Sequence, residues 1–265
     1  MAAGAIAGLR PSVPGLPVLL YHGIEPGDPK ARDKYCVSAS NFRAQLELLR
    51  SQHFCALPPQ AIADPLRSGR TVILSFDDGP ESDYRVAFPL LVENGFNAAF
   101  FVNTAEVGAP GRLGWSEIRE MQRAGMSFQS HGHRHVDHSR VSQRTAAEQL
   151  RLSREILEQN LGRRVDCFSA PYGLLTPRLI RAAHETGFQF VFSSRNWPVR
   201  PGQVSAGRFA IYQRTTLGEF RGLIGCAMLP LVRRSLREAA LLIPRRLVLR
   251  VRPQWLGVAV LQENP

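Results

Sequence analysis

The segment LSFDDGPES, residues 74–82, places two adjacent acids at the end of an apolar run. β-Branched and aromatic residues are frequent at positions 72–76, which predicts a short buried strand. Asp77 and Asp78 follow at once, and Gly79-Pro80 predicts a turn. Two neighbouring carboxylates repel each other, and a bound cation would offset that repulsion. The same residues are also ordinary turn formers, so the segment predicts a strand end without establishing a site by itself.

Strand-like and helix-like segments alternate along the chain on both sides of this one. Apolar runs predict strands at 18–20, 72–76, 98–102, 126–130, 165–169, 189–193 and 208–212. Amphipathic spacing predicts helices at 41–52, 84–94, 115–124, 144–160 and 177–186. This α/β alternation is typical of parallel strands joined by helical crossovers, in either a barrel or a doubly wound sheet. A single domain of that class fits a chain of 265 residues.

The residues with the most distinctive chemistry all follow predicted strands. Asp77-Asp78, the histidine cluster at 131–135, Pro171-Tyr172 and Arg195 each lie just beyond a strand's carboxyl end. In a parallel barrel those ends gather on one face, which is where sites are built. The sequence therefore predicts one site assembled from several loops.

The segment HGHRH, residues 131–135, offers three imidazoles within five positions. On a helical turn His131 and His135 would share a face, whereas on an extended segment His133 could join them, and the residues leave this choice open. Two imidazoles with one carboxylate form a common open metal site. One of the two adjacent acids could complete it while the other remains free to act as a base.

Positive charge is concentrated at the carboxyl end of the chain. The net charge is +11, and residues 221–265 contain eight arginines and two glutamates, a net charge of +6. A solvated basic surface is the plain interpretation, and contact with a membrane or another anionic partner is the alternative. No nucleic-acid-binding motif is present, so we expect no nucleic-acid partner.

The spacing of the cysteines and the composition of the amino-terminal residues indicate the cellular compartment of the protein. Four cysteines lie far apart without a CxxC pair, which argues against a disulfide framework and a thiolate zinc site. No basic segment precedes the small apolar run at the start, and no stretch reaches the roughly 18 apolar residues of a membrane span. These features predict a cytoplasmic protein, with peripheral membrane contact through the basic carboxyl-terminal segment.

Three segments in order resemble the motifs of the polysaccharide deacetylases, the NodB-like carbohydrate esterases. They are LSFDDGP at 74–80, SHGHRH at 130–135 and FSAPYG at 168–173. The resemblance covers about residues 16–220 and implies an irregular (β/α)7-type barrel. It divides the chain into an extension at 1–15, a catalytic domain at 16–220 and a second extension at 221–265.

The resemblance also implies roles for the acids and histidines. Asp77 would be the general base. The metal ligands would be Asp78, His131 and His135. The ion would be a divalent metal, usually Zn²⁺, with Co²⁺, Ni²⁺ or Fe²⁺ as alternatives.

The third motif implies how the charge of the intermediate is stabilised. The backbone N–H of Tyr172, next to Pro171, would face the oxyanion of a tetrahedral intermediate. The reaction would be hydrolysis of an N-acetyl group on an amino-sugar glycan, with release of acetate. The serine that opens the third motif makes the chain most similar to the branch that deacetylates poly-N-acetylglucosamine and related exopolysaccharides.

Two departures from the family pattern affect the site. Ser169 stands where an arginine usually orients the base, so a late arginine, Arg208 or Arg195, would take that role. No late histidine matches the family's general acid. His22, after the first strand, is the candidate for an acid or a supporting role, although a buried core histidine explains it equally well. Trp197 is a candidate for stacking on a sugar ring.

Other functions are compatible with these residues. A non-catalytic carbohydrate-binding protein on the same fold is one alternative, and a hydrolase of another amide or ester is a second. A lipid-linked glycan at the membrane is a further possible substrate, because it would fit both the absent leader and the basic tail.

Overall fold

The computed structural model describes residues 12–27, 34–64, 69–138, 140–200, 203, 205–228 and 231–233. The strands are β1 (Val18–Tyr21), β2 (Gly23–Glu25), β3 (Cys36–Ser38), β4 (Cys55–Ala56), β5 (Thr71–Asp77), β6 (Ala99–Val102), β7 (Ser127–Ser130), β8 (Cys167–Ser169), β9 (Phe190–Phe192), β10 (Ser205–Ala206) and β11 (Phe209–Ala210). The helices are α1 (Ala39–Ser51), α2 (Phe88–Asn94), α3 (Trp115–Arg123), α4 (Gln143–Leu161), α5 (Pro177–Glu185) and α6 (Leu217–Ile224).

The main sheet is parallel throughout and runs in the order β10-β9-β8-β7-β6-β5-β1-β11, with β4 paired to β5. A separate parallel pair joins β2 to β3. The two terminal strands of this order, β10 and β11, are neighbours in sequence, because only Gly207 and Arg208 separate them. The sheet must therefore curl until its edges meet, so the irregular α/β barrel is confirmed and the doubly wound alternative is wrong.

Gly207 lets the chain pass tightly between the two edge strands. A Cβ atom at this position would lie 2.5 Å from the Arg195 carbonyl oxygen and 2.6 Å from that of Trp197. Such distances are closer than any side chain tolerates, so glycine is required where the sheet edges meet. We call the segment at residues 205–210 the seam.

Side-chain alternation along β5 separates the barrel interior from the helix-covered face. Leu74 and Phe76 belong to the large core beneath the helices. Ile73 belongs to a second apolar cluster, which also contains Phe101 of β6. Because successive residues of a strand point to opposite faces, Asp77 shares the face of Ile73 and enters the barrel.

The helix termini carry common capping residues. The side chain of Ser142 accepts a hydrogen bond from the Thr145 N–H and so caps α4. Gly95 and Gly162 end α2 and α4 in the left-handed conformation. The helix expected at 84–94 is instead a π-helical turn, Asp83–Ala87, followed by α2.

The described parts of both extensions pack on the barrel. Val13 and Leu231 are buried in the large core, and the Val13 N–H donates to the Cys226 carbonyl. None of the four cysteines, all within the described residues, forms a disulfide bond. No described helix has the length and apolar character of a membrane span. The predicted membrane contact falls mainly on residues 234–265, which lie outside the described residues, and the domain limits remain predictions.

Candidate metal and catalytic site

The side chains of the two adjacent acids, Asp77 and Asp78, point in different directions at the end of β5. Asp77 ends β5 and points into the barrel, whereas Asp78 has a φ of 75°. This left-handed conformation is unfavourable for a non-glycine residue and directs Asp78 away from its neighbour. The Arg112 guanidinium holds the strained position by donating to the Asp78 carbonyl at 3.0 Å. The strand end thus presents two carboxylates with separate tasks.

Asp78, His131 and His135 converge on one point. Their ligand atoms all lie within 4.8 Å of one another, and they form the one such group found among the described residues. Asp78 Oδ1 is 3.4 Å from Nε2 of His131 and 3.4 Å from Nε2 of His135. Two ligands of a tetrahedral zinc ion, each about 2.0–2.1 Å from it, are separated by ~3.3 Å. Asp78 Oδ1 is also buried without a hydrogen-bond partner among the described atoms, so these residues fit a metal ion.

The hydrogen bonding of His131 prepares it as a ligand. Its Nδ1 lies 2.8 Å from the Ser169 carbonyl oxygen, which can only accept, so Nδ1 carries the proton. The lone pair of Nε2 is then directed toward Asp78. His131 is 2% exposed and His135 is half-buried, so one ligand is fixed in the barrel and the other lies at its mouth.

The charges around Asp78 favour its ionised form. Burial alone would raise the pKa of this carboxyl, but the neighbouring His131, His22 and His135 outweigh burial and hold it far below the ordinary value. A carboxylate that stays ionised at neutral pH is the form that coordinates a cation.

Asp77 is held by a bidentate ion pair with Arg208. Nη1 and Nη2 of Arg208 donate to the two carboxylate oxygens, each at 2.7 Å. Ser169 Oγ donates to Asp77 Oδ2 at 3.1 Å and itself accepts from Arg208 Nη2 at 2.7 Å. The side chains of Asp77 and Arg208 are 4% and 0% exposed. This fork geometry fixes the carboxylate plane as a neutral partner could not.

The ion pair decides the protonation of Asp77. Burial opposes its ionisation, but Arg208 and His131 together keep the pKa of Asp77 below its ordinary value. The carboxylate is therefore charged at neutral pH and can accept a proton. Arg208 is itself anchored, because its Nε donates to the Ser193 carbonyl at 3.1 Å.

The third motif forms a short strained turn at the site. Pro171 is buried and starts the 3₁₀ turn Pro171–Gly173. Tyr172 has a φ of 61°, and its ring stands edge-on to His135 with centroids 4.6 Å apart. A Cβ atom at Gly173 would collide with Ser194. The turn is thus placed beside the three metal-ligand candidates, and the oxyanion role of the Tyr172 N–H remains a prediction.

A cavity of about 280 Å³ opens over these residues. It is lined by Leu20, His22, Tyr35, Asp77, Asp78, His131, His135, Tyr172, Gly173, Ser194, Ala210 and Tyr212. His22 Nδ1 has no hydrogen-bond partner among the described atoms, and burial lowers the pKa of His22 despite the two nearby acids. His22 therefore faces the reaction space as a neutral imidazole.

Three other predicted candidates lie outside this arrangement. The ring of Trp197 packs against the core with Arg200 over it at 5.4 Å, and its stacking on a sugar stays a prediction. Arg195 is exposed, and Arg208 is the arginine that pairs with the base. His133 Nδ1 contacts Thr104 Oγ1 at 2.9 Å and does not join the three donors.

Sequence reasoning missed several residues that shape the site. Ser75 contacts Arg208 at 3.4 Å, and its spacing of two from Asp77 places it on the same strand face, which was a usable signal. Ser169 was noticed only as a missing arginine. Tyr35 and Tyr212 reach the cavity from loops, and their local sequence carries no signal for that placement.

Comparisons with known proteins find similar sequences. The family model for polysaccharide deacetylase matches residues 66–191. YxkH of Bacillus subtilis is 24% identical over 205 residues, covering 75% of this chain and 70% of its own length. The poly-β-1,6-N-acetyl-D-glucosamine N-deacetylase of Staphylococcus aureus is 26% identical over 185 residues, and the match covers 63% of this chain and 64% of that enzyme.

A solved structure is similar in fold. IcaB from Ammonifex degensii superposes with a TM-score of 0.71 at 28% identity, covering 82% of this chain and 98% of that one. Together, the parallel barrel, the Asp-His-His cluster and these similarities lead to one conclusion. The chain resembles the polysaccharide deacetylases, the NodB-like carbohydrate esterases, in sequence over residues 66–191 and in fold over most of its length.

Proposed function

We propose that the chain is a metal-dependent N-deacetylase of an amino-sugar glycan. One observation carries the proposal: three metal-ligand atoms lie beside a separate carboxylate, Asp77, which Arg208 fixes in its ionised form. Asp78, His131 and His135 would hold the ion. When bound, a divalent metal supplies Lewis-acid chemistry that polarises the acetyl carbonyl and lowers the pKa of water.

The protein residues divide the proton transfers among them. Asp77 accepts a proton from the water whose oxygen forms a bond to the acetyl carbon. The Tyr172 N–H donates to the carbonyl oxygen as negative charge develops there. The C–N bond then breaks, and the nitrogen needs a proton to leave as an amine. The products are acetate and the free amino sugar.

His22 is our candidate for that second proton transfer: its neutral imidazole would take up at Nδ1 the proton that Asp77 received from water and pass it to the nitrogen. It lines the cavity with Asp77, and its Nδ1 has no partner among the described atoms. The family's late histidine has no counterpart here, so another group must protonate the leaving nitrogen. A His22→Gln variant should lower kcat on an acetamide more than on an activated ester, because an ester with a good leaving group needs little proton donation.

The relatives support a proposal for the substrate class. The staphylococcal relative is named for poly-β-1,6-N-acetyl-D-glucosamine, and the cavity lies open at the barrel mouth as a polymer requires. We therefore propose a β-1,6-linked N-acetylglucosamine polymer, or a lipid-linked glycan of the same sugar, as substrate. Zn²⁺ is the proposed metal because imidazole and carboxylate ligands suit it, although Co²⁺, Ni²⁺ and Fe²⁺ share that preference.

The test combines metal content with acetate release. Wild type, His131→Ala and the matched control His133→Ala are purified and loaded with Zn²⁺. We expect about one ion per chain in wild type and His133→Ala, and a loss of the ion and of acetate release in His131→Ala. Equal zinc content in all three variants would contradict the site.

Two results would favour the alternatives. If wild type bound zinc and the glycan but released no acetate, the chain would be a carbohydrate-binding protein on this fold. If it cleaved other amides or esters faster than acetylated glycans, the metal chemistry would be correct and the substrate class wrong.

A further inference from the structure

Two tyrosines that the catalytic roles do not use line one wall of the cavity. Tyr35 precedes β3, and Tyr212 lies two residues beyond β11. Their ring centroids are 5.7 Å apart, and the Tyr35 ring is 4.9 Å from that of His22. Tyr172 stands beside His135 at the same cavity. Aromatic side chains thus border the candidate metal site from separate loops.

The backbone holds this tyrosine pair in place. The Gln213 N–H donates to the Lys34 carbonyl at 3.0 Å, which ties the segment bearing Tyr35 to the segment bearing Tyr212. The Tyr212 N–H donates to Thr215 Oγ1 at 2.9 Å, and the Thr215 N–H returns a bond to the Tyr212 carbonyl at 2.9 Å. The two rings are therefore pre-organised before any ligand arrives.

The exposure of two of these tyrosines, Tyr35 and Tyr172, needs an explanation. Tyr35 is 42% exposed and Tyr172 is 62% exposed, although both are large aromatic residues. The three metal-ligand candidates and the base, Asp77, are polar and lie at the same cavity. A ligand that fits this cavity has an apolar face that packs on the tyrosine rings and a polar edge that faces the metal-ligand candidates and Asp77. The C–H face and hydroxyl edge of a pyranose have that character.

We infer that Tyr35 and Tyr212 form a binding subsite for a pyranose ring adjacent to the sugar that is deacetylated. The inference rests on the proposed function for the class of ligand. It goes further because it assigns recognition of the adjacent sugar unit to two named tyrosines of the cavity. The chain would accordingly bind oligomers more tightly than the single sugar. The preference would appear in Kd and KM, and kcat would be unaffected.

Binding measured without metal tests the subsite apart from catalysis. A β-1,6-linked N-acetylglucosamine pentamer is titrated calorimetrically into the full chain treated with a chelator. We expect Tyr35→Ala and Tyr212→Ala each to raise Kd about five- to tenfold. Tyr35→Phe should stay within about twofold of wild type, because the ring and not the hydroxyl packs on the sugar.

A matched control and a kinetic measurement complete the test. Tyr84→Ala removes a tyrosine that lies outside the cavity and should leave Kd unchanged. In the zinc-loaded protein, Tyr35→Ala should raise KM for the pentamer and preserve kcat. Unchanged Kd in both alanine variants, or no binding of the pentamer to wild type, overturns the subsite. Tyrosine-dependent binding without acetate release would instead support the subsite and refute the proposed deacetylase activity.

Discussion

Asp77 and Asp83 are two buried carboxyl groups six positions apart whose surroundings differ completely. Asp77 accepts three hydrogen bonds, from Arg208 and Ser169, whereas neither oxygen of Asp83 has a hydrogen-bond partner among the described atoms. The pKa of Asp77 is lowered, while burial and the charges of Asp78 and Asp77 raise the pKa of Asp83 well above its ordinary value.

The comparison separates the effect of burial from that of a partner. Burial disfavours the charged form of both groups, so the difference arises from the neighbouring charges: Arg208, with His131, beside Asp77, and the two acids near Asp83. Arg208 thus keeps the buried Asp77 ionised so that it can act as a base. Asp83, which has no such ion pair among the described atoms, has a raised pKa instead. Four substitutions test this, from the largest expected effect to the smallest.

Asp77→Asn should reduce kcat for acetate release about 10²- to 10⁴-fold, because the amide cannot accept the proton from water. The measurement is acetate released from the zinc-loaded protein. Asp83→Asn is the matched control and should keep at least about half of the wild-type rate. Equal losses in the two variants would remove the distinction between the two acids.

Arg208→Met should lower the free energy of unfolding by about 3–5 kcal/mol, because Asp77 is then buried without a countercharge. Urea denaturation measures it, with Arg195→Met as the exposed control, expected within about 0.5 kcal/mol of wild type. The double variant Arg208→Met with Asp77→Leu should recover much of the loss. No recovery would mean that Arg208 stabilises the barrel by packing alone.

Ser169→Ala should cost about 1–3 kcal/mol of stability, because it removes the bonds to Asp77 Oδ2 and Arg208 Nη2. The rate should fall about tenfold while the zinc content stays unchanged. Loss of zinc would show instead that the substitution displaces the Ser169 carbonyl that orients His131.

Asp83→Asn should stabilise the metal-free protein by about 1 kcal/mol at neutral pH. The raised pKa means that the folded wild type keeps a proton that the unfolded chain loses above the ordinary value of 3.8. The free energy of unfolding of the wild type therefore falls as pH rises from 3.8 to the raised pKa of Asp83. The variant has no carboxyl group at this position and does not show this fall. Urea denaturation at pH 4 to 8 measures the difference, which should approach zero at pH 4; a constant difference would contradict the raised pKa.

Much of this architecture was accessible from sequence because it depends on local spacing. The apolar runs and the acids that follow β5 predict the strands and the edge where the site lies. The ligand group Asp78, His131 and His135 follows from motif order, and the structure brings the three side chains together.

Other features depend on contacts between distant segments. The choice between Arg208 and Arg195 is made by the seam, which turns Arg208 into the barrel and leaves Arg195 outside. The packing of Trp197 against the core is a second such feature, because the local sequence does not show which side of the loop faces the cavity. The missing partner of Asp83 is likewise a tertiary property, since its neighbours Ser82 and Tyr84 do not indicate burial.

Arg208 lies in the seam between β10 and β11, the last strands along the chain. The orientation of Asp77 therefore depends on the docking of these two strands. The ion pair with Asp77 joins residues 131 positions apart, and contacts at such separation form slowly because a long loop must close first. A refolding chain can therefore recover most of its helical signal before its base is aligned. Enzyme activity should return with the slowest folding phase, which makes catalysis a reporter of barrel closure.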